Sequence, residues 1–263
     1  MKLLLAALLV TSGAAPGGAS PRVASLDQCS DQYVLALAEP SDVAFLSPRA
    51  RAADSWLKDR ARGLALRRPS IEAVAAARPA VVVRQWAGGP RLEAAMTRLG
   101  VRTVTVEDTA SFDGIARNVR TVAAALGRRD RGERLVDAMN GKLMRARGAW
   151  RGAGAVYLTD GAFTAGPGTL VNTIMTSAGL TNLARAPGYA PAPLERLMLS
   201  PPKVVVFGRF DAPGHGRWSP VKGPVVHKAL AGSRTVELPG SLLACPAWFA
   251  ADAVEQLAAA APP

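Results

Sequence analysis

Histidine, cysteine and lysine are scarce in this 263-residue chain: it holds two His, two Cys, and six Lys among 32 basic residues. A preformed metal centre typically needs several imidazole and carboxylate ligands. His215 and His227 are too few, and His215 in Pro213-Gly214-His215-Gly216 reads as a loop residue. Nucleophilic hydrolysis needs a Ser or Cys poised by His and an acid. The chain has no nucleophile-elbow motif, and its two His lie 12 residues apart without a matching nucleophile signature. Gly166-Pro167-Gly168-Thr169 has the outline of a phosphate cradle but lacks the P-loop lysine. Its simpler role is a turn with Thr169 opening a helix. The shortage of Lys also bears on the net charge of +12. Arg excess alongside abundant Ala, Gly and Pro fits a GC-rich coding bias. The Arg residues are scattered among helices rather than clustered with aromatics, so nucleic-acid binding is not expected. An anionic ligand stays open. No stretch after the N-terminus reaches 18 uncharged apolar residues, so a soluble mature protein is expected.

Hydrophobic content of 49% and charged content of 20% describe an ordinary globular chain. Its length allows one large domain or two lobes of about 100–130 residues. The N-terminus reads as a secretory signal peptide: Lys2, an apolar run from Leu3 to Val10, then small residues through Ala19. Cleavage fits after Ala19, with Ala14 and Ala15 as other candidates. No Cys is near, so a lipid anchor is not expected. Two cysteines remain, Cys29 and Cys245, an even count that permits a disulfide in an exported protein. Two buried thiols are the alternative.

One short pattern occurs twice, 123 residues apart. Ile71-Glu72 is followed by Pro79 and Val81-Val82-Val83, and Leu194-Glu195 by Pro202 and Val204-Val205-Val206, at identical spacing. Each copy reads as a short helix with Glu in its positive first turn, ended near a Pro, feeding a strand. A Val run without polar alternation predicts a strand covered on both faces, as in a parallel sheet. The repeat thus predicts two similar lobes.

Other strands are expected at 22–24, 43–46, 101–106, 155–158 and 235–238. Helices are expected at 31–38, through Trp56 and Leu57, and at 91–99, 169–178 and 250–260. In mid-chain, Phe112, Ile115, Val119, Val122 and Leu126 keep the 3–4 spacing of a helix face. A second helix from about 129 to 149 follows and reads as a long connector.

On these features the chain resembles the periplasmic substrate-binding proteins of ABC importers for cobalamin and ferric siderophores, the type with a helical backbone between lobes. The residues that carry the likeness are Arg22-Val23-Ala24-Ser25-Leu26, both Glu-helix-Pro-strand units, Leu99-Gly100-Val101, and the segment from Gly168-Thr169-Leu170 to Ala178-Gly179-Leu180. Family members usually carry Pro-Asp before the buried strand; here Ala80 and Lys203 stand in place of that Asp. The resemblance implies an α/β fold of two Rossmann-like lobes joined by a long connector helix, with the ligand cleft between them. The expected divisions are 1–19 for the signal peptide, 20–127 for the first lobe, 128–150 for the connector and 151–263 for the second lobe. It also implies permease docking through Glu72 and Glu195, which would pair with Arg on the two transmembrane subunits. Without that partner, each Glu would simply favour its helix start. Loops after the strand ends supply the ligand candidates. Trp86, Phe163 and Tyr189 fall where cobalamin-binding relatives place aromatics, suited to the apolar faces of a corrinoid. Arg49 and Arg209, with Trp218, suit a ferric siderophore better. The implied protein is a periplasmic, monomeric binding protein with no catalytic residue and no cofactor, and a separate ATPase would drive import. A direct metal-ion binder and an exported enzyme are the alternatives.

Overall fold

A computed structural model of the chain describes residues 21–86, 89–210, 221 and 223–263. The segment 1–19, read above as a signal peptide, and Trp218 and His215 lie outside the described residues. In the first lobe, β1 (Val23–Ser25), α1 (Gln28–Leu37), β2 (Val43–Phe45), α2 (Ile71–Ala77), β3 (Val81–Arg84), α3 (Gly89–Arg98) and β4 (Arg102–Thr105) form a parallel sheet of order β2-β1-β3-β4. The helical backbone follows as α4 (Phe112–Ala125) and α5 (Arg129–Ala146). The second lobe contains β5 (Gly154–Thr159), β6 (Phe163–Ala165), α6 (Leu170–Ser177), β7 (Thr181–Asn182), β8 (Tyr189–Pro191), α7 (Leu194–Leu199), β9 (Val204–Arg209), α8 (Pro224–Leu230), β10 (Arg234–Pro239) and α9 (Ala250–Ala259). Its parallel sheet runs β10-β9-β5-β7, with β6 and β8 as a separate antiparallel pair. Setting that pair aside, both lobes place their strands in the order second, first, third, fourth.

The repeated sequence unit occupies the same place in each lobe, as α2–β3 and α7–β9. Both Val runs are covered on both faces. Val81, Val83, Val204 and Val206 face the central core, while Val82 and Val205 face the outer helices of their own lobes. Such burial is what an unbroken apolar strand requires. The central core is continuous between lobes and includes Val83, Ile115, Met139, Trp150, Val206 and Phe249. Helix α5 packs on α4 and on α9, edged by ion pairs Arg120–Glu133 at 2.9 Å and Arg145–Glu255 at 2.7 Å, and by Lys142–Asp252. Exposed pairs of this kind add at most about 1 kcal/mol each, so the apolar seam carries the packing.

Side-chain caps fix several helix starts. Asp27 caps α1 and Ser30 returns the bond, Ser70 caps α2, Ser111 caps α4 and Thr169 caps α6. The expected helix through Trp56 and Leu57 is absent. Gln32 on α1 receives the Leu57 amide at 2.8 Å and donates to the Ser55 hydroxyl at 2.8 Å, holding the segment as turns and a 3₁₀ segment, 58–61. Trp56 instead stacks on Phe249, with ring centroids 5.6 Å apart. Helix α8 and strands β6, β7 and β8 were not anticipated from the sequence, and β9 runs past its Val residues through Phe207, Gly208 and Arg209.

Cys29 and Cys245 are joined by a disulfide, with Cα atoms 5.3 Å apart. Beside it, the Tyr33 hydroxyl donates to the Pro246 carbonyl at 2.5 Å, and Tyr33 meets Trp248 edge-on at 5.5 Å. The first-lobe helix α1 is therefore tied to the second-lobe segment before α9.

Candidate functional site

In parallel sheets, ligands bind beyond the carboxyl ends of the strands. Those ends in the first lobe are organised by two acids on and before α1. Asp27 accepts the Ser30 amide with one oxygen, and the Gln85 and Trp86 amides with the other, at 2.6 and 3.2 Å. This fixes the chain where β3 ends and leaves the Trp86 indole 66% exposed. Asp31 is fully buried and accepts the Ser47 amide at 3.0 Å and hydroxyl at 2.5 Å. Desolvation raises its carboxyl to about 7, against the pull of the Ser47 bonds. Ser47 in turn accepts the Arg49 amide at 3.2 Å. The Arg49 guanidinium is held by Gln28 at 2.7 Å and by Asp54 at 3.1 Å.

The second lobe presents aromatic surface instead. A cavity of about 510 Å³ is lined by Tyr157, Phe163, Val171, Tyr189, Phe210 and Leu243, with Asp160 and Gly208 among its remaining walls. Phe163, Tyr189 and Phe210 are exposed, whereas Tyr157 is buried behind them. Arg209 lies over the Phe207 ring at 4.4 Å and pairs with Asp160 at 3.3 Å and Glu237 at 2.5 Å. A neighbouring cavity of about 380 Å³ lies between the lobes. Asp108, Thr109 and Ala110 supply its first-lobe side, and Thr169, Gly188 and Tyr189 the other. Cys245 and Pro246 belong to its wall, so the disulfide borders the cleft. Across this gap the Thr173 hydroxyl donates to the Ala110 carbonyl at 2.6 Å. The Tyr189 phenol is pushed up by desolvation, then by the negative charge of Asp108.

Phe163 and Tyr189 therefore come together, and Arg209 lies beside them. Trp86 and Arg49 sit at the first-lobe strand ends and line neither cavity. Tyr157, Phe210 and Asp108 were missed; only Phe210, directly after Arg209 and three residues past the Val-Val-Val-Phe run, carried a local signal. Glu72 and Glu195 are exposed in the first turns of α2 and α7. A helix returning directly to a parallel strand starts near that strand's carboxyl end, so α2 and α7 both begin at the carboxyl ends of their sheets. Bonds from its own amide and the Ser70 hydroxyl hold Glu72 below the usual carboxylate range. Among the described residues, no group of three or more His, Cys, Asp or Glu could hold a metal ion. No described helix is long and apolar enough to cross a membrane.

Two parallel α/β lobes, a helical backbone and a ligand-sized cleft between them define a two-lobed solute-binding protein. The chain belongs to the periplasmic binding protein family, whose model matches residues 23–212. Solved structures agree in fold. The heme-binding protein RhuT from Roseiflexus sp. RS-1 is 24% identical, with 92% of this chain and 97% of that chain covered at a TM-score of 0.73. The Vibrio cholerae heme-binding protein HutB is 16% identical, with coverage of 91% and 98% at 0.73. The Vibrio cholerae vitamin B12 binding protein BtuF is 18% identical, with coverage of 92% and 96% at 0.67. No curated protein matches the chain significantly.

Proposed function

We propose that this protein is the solute-binding component of an ABC importer, exported by a cleavable signal peptide, and that its cargo is a planar tetrapyrrole, a corrinoid or heme. The observation that carries this reading is the wall of Phe163, Tyr189 and Phe210 in the second-lobe cavity. Exposed aromatic rings are suited to covering the broad apolar face of a macrocycle. Trp86 would approach from the first lobe. The similarity to proteins described as binding heme and vitamin B12 supports the same class.

A ferric siderophore is the weaker cargo. It leans on Arg49 and Arg209, and both guanidiniums already engage carboxylates. Capture needs no reacting group. The lobes, divided as 20–127 and 151–263 about the connector at 128–150, would close modestly, since the disulfide and the apolar seam tie them together. Glu72 and Glu195 would then register the loaded protein on the two permease subunits.

Tryptophan fluorescence and visible absorbance titrations with cobalamin, hemin and ferric siderophores test the cargo. Saturable, stoichiometric binding of a tetrapyrrole without turnover is expected; binding of siderophores alone, or chemical conversion of the ligand, would refute the assignment. For docking, reversing the charge of both Glu72 and Glu195 should abolish uptake with ligand affinity unchanged. Normal uptake by that double variant removes the docking role.

A further inference from the structure

The two cavities share Tyr189, Leu243 and Ala244, so one ligand can occupy both. Their chemistries differ. The larger is walled by rings and aliphatic groups, as a flat macrocycle requires. The smaller contains the Asp108 carboxylate, and no Arg or Lys is among its described lining residues. Asp108 makes no ion pair with any described residue. Of the threonine hydroxyls on its described wall, both are engaged within the protein: that of Thr109 accepts the Ser111 amide at 3.2 Å. The Thr169 hydroxyl donates to the Gly166 carbonyl at 2.8 Å and accepts the Asn172 amide at 3.1 Å. The Pro246 carbonyl already accepts from Tyr33. Arg49 and Arg209 are committed to Asp54, Asp160 and Glu237.

A carboxylate entering the smaller chamber would face Asp108 with no counter-charge among these residues. A primary amide would instead donate an N–H to it. We infer that this interlobe chamber is a subsite for the amide-bearing edge of the macrocycle, in which Asp108 selects against carboxylates, so that the cargo is an amide-decorated corrinoid rather than a dicarboxylate porphyrin. The inference rests on the tetrapyrrole assignment and narrows it. Placing a repulsive group against the competitor is a general route to specificity, and like charges brought together across an interface are strongly disfavoured. The raised Tyr189 phenol fits, because a neutral hydroxyl beside Asp108 serves amide partners as donor and acceptor.

The test uses the mature protein and its Asp108→Asn variant, titrated with cobalamin, with the set of cobalamins in which one peripheral amide is hydrolysed to a carboxylate, and with hemin. Each acid differs from cobalamin at one group, so the comparison isolates the charge. The native protein should bind cobalamin about tenfold more tightly than at least one of the acids, and more tightly than hemin. Asp108→Asn should bring that acid to within about twofold of cobalamin, with the amide ligand still bound. Equal binding of cobalamin and every acid, a preference unchanged in Asp108→Asn, or binding of hemin in preference to cobalamin would each overturn the inference while leaving the tetrapyrrole assignment standing. Failure to bind any of these macrocycles would overturn that assignment itself.

Discussion

At the carboxyl ends of their sheets, the two lobes share a backbone register but not a chemistry. Ser25 stands opposite Val83 in the first lobe as Tyr157 stands opposite Val206 in the second. Two residues on, Asp27 and Gln85 correspond to the paired Thr159 and Gly208. In the first lobe this corner is a hydrogen-bonded set. The Ser25 and Ser30 hydroxyls lie 2.7 Å apart, and Asp27 receives the amides of Gln85 and Trp86. In the second lobe the Tyr157 ring lies across Gly208, where an added Cβ would meet the phenol oxygen at 2.1 Å. One lobe uses its corner to hold loops in place, the other to present rings toward the cleft. A duplicated backbone thus supports an asymmetric site.

The largest expected effect breaks the link between the lobes. Replacing Cys29 and Cys245 with Ser should lower stability by about 5 kcal/mol in the chain-entropy model, given the sequence separation of 216. Denaturant melts with and without reductant measure it. A single transition persisting in the variant would show that the shared core alone couples the lobes, whereas two transitions would show that the disulfide does.

Asp31, buried in the first lobe, comes next. Its carboxyl rises from 3.8 to about 7, so the folded state holds the proton more tightly than the unfolded chain. Its contribution is fully present below about pH 4 and is lost as pH rises through about 7. At about 1.4 kcal/mol per unit, the change amounts to ~4 kcal/mol. Asp31→Asn should flatten stability across that window in melts from pH 4 to 8; an unchanged slope would assign the pH dependence to other groups.

Gly208→Ala should cost about 1–3 kcal/mol through overpacking against Tyr157, and should weaken ligand binding because Gly208 lines the aromatic cavity. Stability measured beside a tetrapyrrole titration separates the two effects. The smallest change should come from Gln85→Met. Both amide atoms of Gln85 are buried without a hydrogen-bond partner, so an apolar replacement should stabilise by about 1 kcal/mol. Stabilisation accompanied by loss of ligand affinity would mean that this amide serves the ligand.

Much of the scaffold was legible because its signals are local. The Glu-helix-Pro-Val unit contains its own helix start, stop and buried strand, and both copies fold where the repeat places them. The spacing from Phe112 to Leu126 likewise marks α4. The site was less legible. Phe163-Thr164-Ala165 and Tyr189-Ala190-Pro191 form three-residue strands that pair only with each other, too short for an alternation to show. Trp56 looked helical until Gln32, distant in sequence, captured its neighbours. Arg49 and Arg209 looked like free cations because Asp54, Asp160 and Glu237 approach them only after folding. Asp108 had no motif at all.

The sequence by itself determined the two-lobe plan, both Val strands, the helical backbone and a cysteine pair able to bridge, since periodicity and spacing act along the chain. Only the tertiary structure decided which charges are neutralised, which rings meet in one cavity, and that the bridged cysteines border the cleft. Those outcomes depend on groups far apart in sequence being brought within a few ångströms, where desolvation and pairing set their chemistry.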